Sequence, residues 1–265
     1  MNRTLAPNAS NVHRVNFVKP TCIDVSSNFY QIENSVDDSM RIEFIFNAGS
    51  KFQAKKLQSA FTADLLLSGT ASMSSKEINE AIDLEGGYFQ CESDRDSIIL
   101  TLYCLASKFE SIWEVVEESI LNVQFPQTEF DTLLAMKKQQ YLVNSEKVSN
   151  LARRAFSKTL FSEGSPYDSV SELGDYSLLT RNDIEDFYNS NILKGLHGII
   201  LVGTLPKELI DRLISFGNHL RGEHVVKDFS YANHVGIEKI DKKGAIQSAV
   251  RIGKTMVNRG HEDFV

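Results

Sequence analysis

Apolar and polar positions alternate with period two in MRIEFIFNAGS (40–50), where Ile42, Phe44 and Phe46 oppose Arg41 and Glu43. That is the spacing of a half-buried strand, and Asn47-Ala48-Gly49 ends it. A further strand is expected before it, over CIDVSSNFYQIEN (22–34). The period then changes. Over 55–67, Leu57, Phe61 and Leu65 fall four apart on one helix face, and Ser68-Gly69-Thr70 stops the run. Ser74-Ser75-Lys76-Glu77 has capping-box spacing and opens a second helix through Ile78, Ala81 and Ile82, closed by Gly86-Gly87. Strands follow at 88–92 and 97–105, joined through Ser93-Asp94-Arg95-Asp96. A helix over 107–122 then carries the stripe Phe109, Ile112, Trp113, Val116 and Ile120.

Pro126 breaks the chain before a long helix over 128–146, whose apolar positions are Phe130, Leu133, Leu134 and Tyr141. Another helix is expected over 149–160. Thr180 and Asp183 have the spacing to cap a short helix at 182–190, ahead of a strand LHGIILVG at 196–203. Pro206 fits the first turn of a last helix, 206–220. Runs of strands followed by runs of helices, without strict alternation, imply an α+β fold: a mixed, mostly antiparallel sheet with helices packed on one face. The polar stretch 221–235 reads as a linker. The organisation expected is therefore one domain over 1–225, then a linker and the opening strands of a second unit over 226–265. About thirty residues bury too little surface to form a core alone, so the chain is expected to be a piece of a longer protein.

Composition narrows this picture mainly by exclusion. Hydrophobic content of 42% and charged content of 24% are ordinary for a globular protein. A net charge of -7 argues against a nucleic-acid partner, because a polyanion needs a basic stripe. No apolar run approaches the length of a membrane span. MNRTLAPNASNVHRV lacks the apolar core of a secretory signal, so a cytoplasmic or periplasmic protein is expected. Cys22, Cys91 and Cys104 have no metal-ligand spacing, and their odd number is poor support for a disulfide framework.

Candidate chemistry concentrates in FNAGSKFQAKKLQSAFTADLLLSGT and the following SSKEINEAIDLEGGYFQCESDRDSIILTLYCLASKFESIWEVV. These stretches, with the later SPY (165–167) and IILVGTLPKELI, resemble the insulinase/pitrilysin-type peptidases, or inverted zincins. The resemblance covers most of residues 22–220. Active members carry H-x-x-E-H on the helix that corresponds to 55–67. Two His one turn apart ligate zinc, the Glu activates a bound water, and a Glu from a later helix completes the ligand set. The resemblance puts Ala60 and Asp64 where the two His would stand, and Ala63 where the Glu would stand. It puts the third ligand at Gln139 of AMKKQQYLVNSE, with Gln140 as the alternative register. None of these types suits the task, so the resemblance implies a member without a zinc cofactor.

Other clusters offer less. His219 and His224 are five apart, about 140° around a helix, and cannot share an ion on one. His261-Glu262 begins H-E-x-x-H, but Val265 stands at its fifth position. His13, His197 and His234 are isolated, and Glu77/Glu80 and Glu117-Glu118 are expected on solvated helix faces. No nucleophile elbow, phosphate-cradling Gly loop or Cys-x-x-Cys is present.

The resemblance implies a catalytically inactive subunit that pairs with an active, zinc-bearing homologue. Such zinc-free subunits contact substrate through an Arg-Tyr pair in a second half, which would lie beyond Val265. Self-association, a peptide-binding scaffold without a proteolytic partner, and a working zinc endopeptidase are the alternatives. In the family, substrate is held partly by strand addition beside the zinc helix, a main-chain interaction that needs no zinc. The segment that resembles that edge is Phe89, Gln90, Cys91 and Glu92.

Overall fold

The computed structural model describes residues 18–33, 38–161, 164–222, 235–257 and 260–264. One six-stranded sheet forms its centre: β1 (Thr21–Asp24), β2 (Phe29–Ile32), β3 (Ser39–Phe46), β4 (Tyr88–Ser93), β5 (Ile98–Leu105) and β6 (Leu196–Val202). The strand order is β1-β2-β6-β3-β5-β4. Only β2 and β6 run parallel; the other neighbours are antiparallel. The sheet is therefore mixed and mostly antiparallel, and the fold is α+β.

Alternation in β3 decides where the core lies. Met40, Ile42, Phe44 and Phe46 are buried, while Arg41 is exposed on the opposite face. Pairing with β5 in register sets these beside Cys104, Leu102, Leu100 and Ile98. Helices α1 (Gln58–Leu65), α2 (Ser75–Leu84) and α3 (Phe109–Asn122) follow in the first half of the chain. Then come α4 (Gln127–Ser145), α5 (Val148–Leu160), α6 (Asp175–Leu178), α7 (Arg181–Asn191) and α8 (Lys207–Leu220). On the apolar face, Phe44 stacks on Trp113 of α3 at 5.1 Å, and Phe216 of α8 meets Trp113 edge-on at 4.9 Å. Trp113 is fully buried. Aromatic clusters of this geometry add to the area term, which makes this the energetic centre of the domain. The opposite face is more open, and there Arg41 lies over the Tyr103 ring at 5.3 Å.

Local signals were good guides to the helices. Ser74 and Glu77 form the complete capping box of α2, and Thr180 and Asp183 form that of α7. Two differences have clear causes. The strand expected over 22–34 is a hairpin: β1 and β2 are joined by a turn in which Asp24 Oδ2 accepts from Ser26 Oγ, Ser27 N and Ser27 Oγ, each at 2.6 Å. Asn28 then takes φ 55°, a left-handed conformation that Asn tolerates. Short polar side chains here satisfy the backbone locally and outweigh strand continuity. The short helix α6 was not anticipated.

The second difference concerns 235–257, where opening strands of a further unit were expected. Those residues form neither strand nor helix, and Ile237, Ile246 and Ile252 are almost fully exposed. A strand is stabilised by pairing and by an apolar face to cover, and these residues pair with no strand of the described sheet.

Candidate functional site

The site is built where α1 meets the sheet's free edge. β4 is the last strand in the order and pairs only with β5, so one row of its backbone groups is not used by the sheet. Its side chains alternate. Phe89 and Cys91 pack against the core, whereas Tyr88 and Glu92 are exposed. The β4–β5 turn is pinned by the segment before α1: Ser50 N donates to Asp94 O at 2.9 Å and Lys51 N to Arg95 O at 3.0 Å. Gly49 permits that approach, since a Cβ there would fall 2.3–2.5 Å from the backbone of Arg95, Asp96 and Ser97.

Helix α1 is held from both sides. Ser59 Oγ donates to Ala48 O and meets Ser93 Oγ, both at 2.6 Å, which joins α1 to β4. Gln58 Nε2 donates to Asp183 O at 2.8 Å and Lys55 pairs with Asp183 at 2.7 Å, which joins the start of α1 to α7. Burial alone would raise the Asp183 pKa, but the bonds from Lys55 and Thr180 outweigh it and hold the carboxyl below its ordinary 3.8. Leu57 enters α1 at φ 79°, a left-handed conformation that costs about 1–2 kcal/mol outside glycine. Its side chain packs on the core, which offsets that strain.

Between α1 and β4 lies a depression of 390 Å³, lined by Ala60, Ala63, Asp64, Cys91, Glu92 and Lys137 among others. The structure thus brings together five of the residues singled out from sequence. Its α1 side offers few reactive groups. Ala60 and Ala63 present methyl groups, and Asp64 is engaged by Lys137 of α4 at 2.7 Å. Burial first, then the carboxylates of Asp64 and Glu92, push the Cys91 thiol well above its usual range. It stays protonated and is a poor nucleophile or metal ligand.

Gln139 is not part of this group. It is exposed on α4, about 200° around the helix from Lys137. The alternative, Gln140, lines a neighbouring cavity instead. The residue facing Asp64 is Lys137, which sequence reasoning missed. The signal was available: Lys137 falls in step with Phe130, Leu134 and Tyr141, the apolar stripe of the same helix.

A zinc ion does not fit this donor set. Two alanines supply no ligand atom, and an ammonium beside Asp64 takes the place that a cation would need. Among the described residues, no group of three or more His, Cys, Asp or Glu side chains is placed to hold a metal. The decoy clusters have ordinary roles: Glu77 caps α2, Glu117 pairs with Arg212 between α3 and α8, and His261 accepts from Asp263 N at 3.2 Å. Glu223, His224, His13 and His234 lie outside the described residues.

A six-stranded, mostly antiparallel sheet with a short helix against its free edge is the class of fold expected from the resemblance to the inverted zincins. Comparison with known proteins agrees on the class. The family model described as Insulinase (Peptidase family M16) matches residues 30–169, more than half of the chain, and the chain belongs to that family. Among solved structures, it is similar to a peptidase M16 inactive domain from Pseudomonas fluorescens, with TM-score 0.72 and 17% identity over 80% of this chain and 53% of that one. It is also similar to a protease from Helicobacter pylori, with TM-score 0.66 and 12% identity over 83% of this chain and 54% of that one. At such identities the likeness is one of fold. The chain spans about half the length of these two structures. None of the curated proteins matches it significantly. Among the described residues no helix is long and apolar enough to cross a membrane.

Proposed function

We propose that this chain is a non-catalytic, peptidase-like domain that holds peptide, and that it works beside a homologous subunit carrying an intact H-x-x-E-H helix. The observation that carries the reading is the ion pair of Asp64 with Lys137, flanked by Ala60 and Ala63. It fills the place of a catalytic centre with a contact that needs no metal. The similarity to a structure described as an inactive domain of the same family supports it.

Peptide holding rests on β4. Its unpaired edge opens onto the depression beside α1, and a peptide added there gains main-chain hydrogen bonds independent of zinc. In this reading residues 1–225 form the holding domain, and 226–265 lead into a second homologous unit. Co-expression with an H-x-x-E-H-bearing homologue tests the pairing. A stable complex on size exclusion, with peptidase activity that depends on both chains, is the expected result. Full activity of the homologue alone, with no complex, would remove the partner role. A peptide-binding scaffold without a proteolytic partner would then be the remaining reading.

A further inference from the structure

A second cavity, of 750 Å³, lies between α4, α5 and the segment 251–255. Among the described residues its lining carries six cationic side chains, Arg95, Lys137, Arg153, Arg154, Arg251 and Lys254, and no carboxylate. The chain as a whole has the opposite balance, with 35 acidic against 28 basic residues, so composition does not explain the bias. Internal partners neutralise it only in part. Arg154 pairs with Glu172 at 2.8 Å and Lys137 with Asp64. Arg95 is turned onto Ser157 Oγ at 3.2 Å and the Phe161 ring at 5.2 Å. Arg153, Arg251 and Lys254 have no carboxylate partner among the described residues. Like charges lining one concavity repel each other and focus a positive field into it, an arrangement that an anionic occupant relieves.

The two cavities share Lys137. Arg95 sits in the turn that ends β4, and Tyr141, Phe156 and Tyr176 add aromatic wall to the larger one. A chain laid along the β4 edge would therefore pass Lys137 into a basic, partly aromatic chamber with room for several residues. We infer that this cavity receives an acidic segment of an extended peptide, with Arg153, Arg251 and Lys254 pairing its carboxylates. The direction of the peptide rests on the holding role proposed for β4; the preference for acid rests on the cavity alone.

The test uses the 265-residue chain and a fluorescent, extended Glu/Gly peptide, followed by anisotropy against Gln/Gly and Lys/Gly peptides of equal length. Selective binding of the Glu peptide, weakening as salt is added, is expected. The double variant Arg153→Glu/Arg251→Glu should weaken it about tenfold or more while thermal unfolding is unchanged. The milder Arg153→Gln/Arg251→Gln keeps the test valid if reversal perturbs folding, and should weaken binding in the same direction. Equal binding of the three peptides, or no loss in either double variant, would overturn the inference. So would displacement of the Glu peptide by inorganic phosphate or a single-stranded oligonucleotide at the peptide's own concentration, which would mark a general anion site. Proline at Gln90 or Cys91 separates the two ideas. If neither affects the Glu peptide while the Arg variants do, the cavity inference stands and the β4 reading falls.

Discussion

The covered face of the sheet and the depression beside its free edge use the same scaffold in opposite ways. Phe44, Trp113 and Phe216 are all buried and in ring contact with one another. Beside β4, two alanine methyls, an ion pair about one-third exposed and a protonated thiol line open space. The first region supplies the free energy that holds the domain together. The second is open to solvent and, among the described residues, offers no cluster able to hold a metal. Architecture and chemistry are thus separable here: α1 is held by Ser59 against Ala48 and Ser93 and by Gln58 and Lys55 against α7, bonds that involve none of Ala60, Ala63 and Asp64.

The sharpest way to break this contrast is to exchange the severity of substitutions. Trp113→Ala should lose about 3–5 kcal/mol in denaturant unfolding, because it empties the centre of the aromatic cluster. A loss below about 1 kcal/mol would show that the cluster is not the energetic core. Next in size is an attempt to rebuild the centre with Ala60→His, Ala63→Glu and Asp64→His. Adding a glutamate at Lys137 should tighten zinc binding by about tenfold or more over the three changes alone. Adding it at Gln139 should not, because that position points to solvent. Calorimetric titration reads the difference, and tightest binding with Gln139→Glu would contradict the placement of α4.

Smaller effects follow along the edge and the anchor of α1. Neighbouring residues of an edge strand point their N–H groups alternately inward and outward. One of Gln90→Pro and Cys91→Pro should therefore abolish peptide binding with the β4–β5 ladder intact, while the other disturbs the ladder and lowers Tm. Two variants with unchanged binding would end the role of β4. Asp183 links the α7 cap to Lys55, and its folded pKa is depressed. Its contribution to stability is therefore complete above its unfolded value of 3.8 and disappears as pH falls through the lower folded value. The Tm gap between the parent chain and Asp183→Asn should be open at neutral pH and close below pH 3.8. A gap that widens on acidification would reverse the sign. Least of all, Lys137→Met should change stability by under about 1 kcal/mol, since both partners of its ion pair are about one-third exposed.

Much of this was legible in the sequence, for reasons that differ by region. The period of β3, the α3 stripe and the two capping boxes are local patterns, and local patterns survive folding. The end of α1 was legible from Ser68-Gly69-Thr70. The β1–β2 turn was missed because Ile23, Tyr30 and Ile32 hide a Ser-Ser-Asn turn inside an apolar run. Lys137 was missed for another reason. The resemblance points to a carboxylate or its relic on that helix, whereas a cation answering Asp64 depends on how α4 leans on α1. The cationic cavity was out of reach altogether, because Arg95, Arg153 and Arg251 are far apart in the chain and meet only through tertiary packing.

The central claim is that α1 occupies the place of a zinc helix without being one. Metal content of the purified chain, measured by mass spectrometry after zinc loading and dialysis, tests it most directly. Zinc far below one ion per chain, and no different in Asp64→Ala, is the result predicted. One zinc per chain that disappears in Asp64→Ala would contradict it.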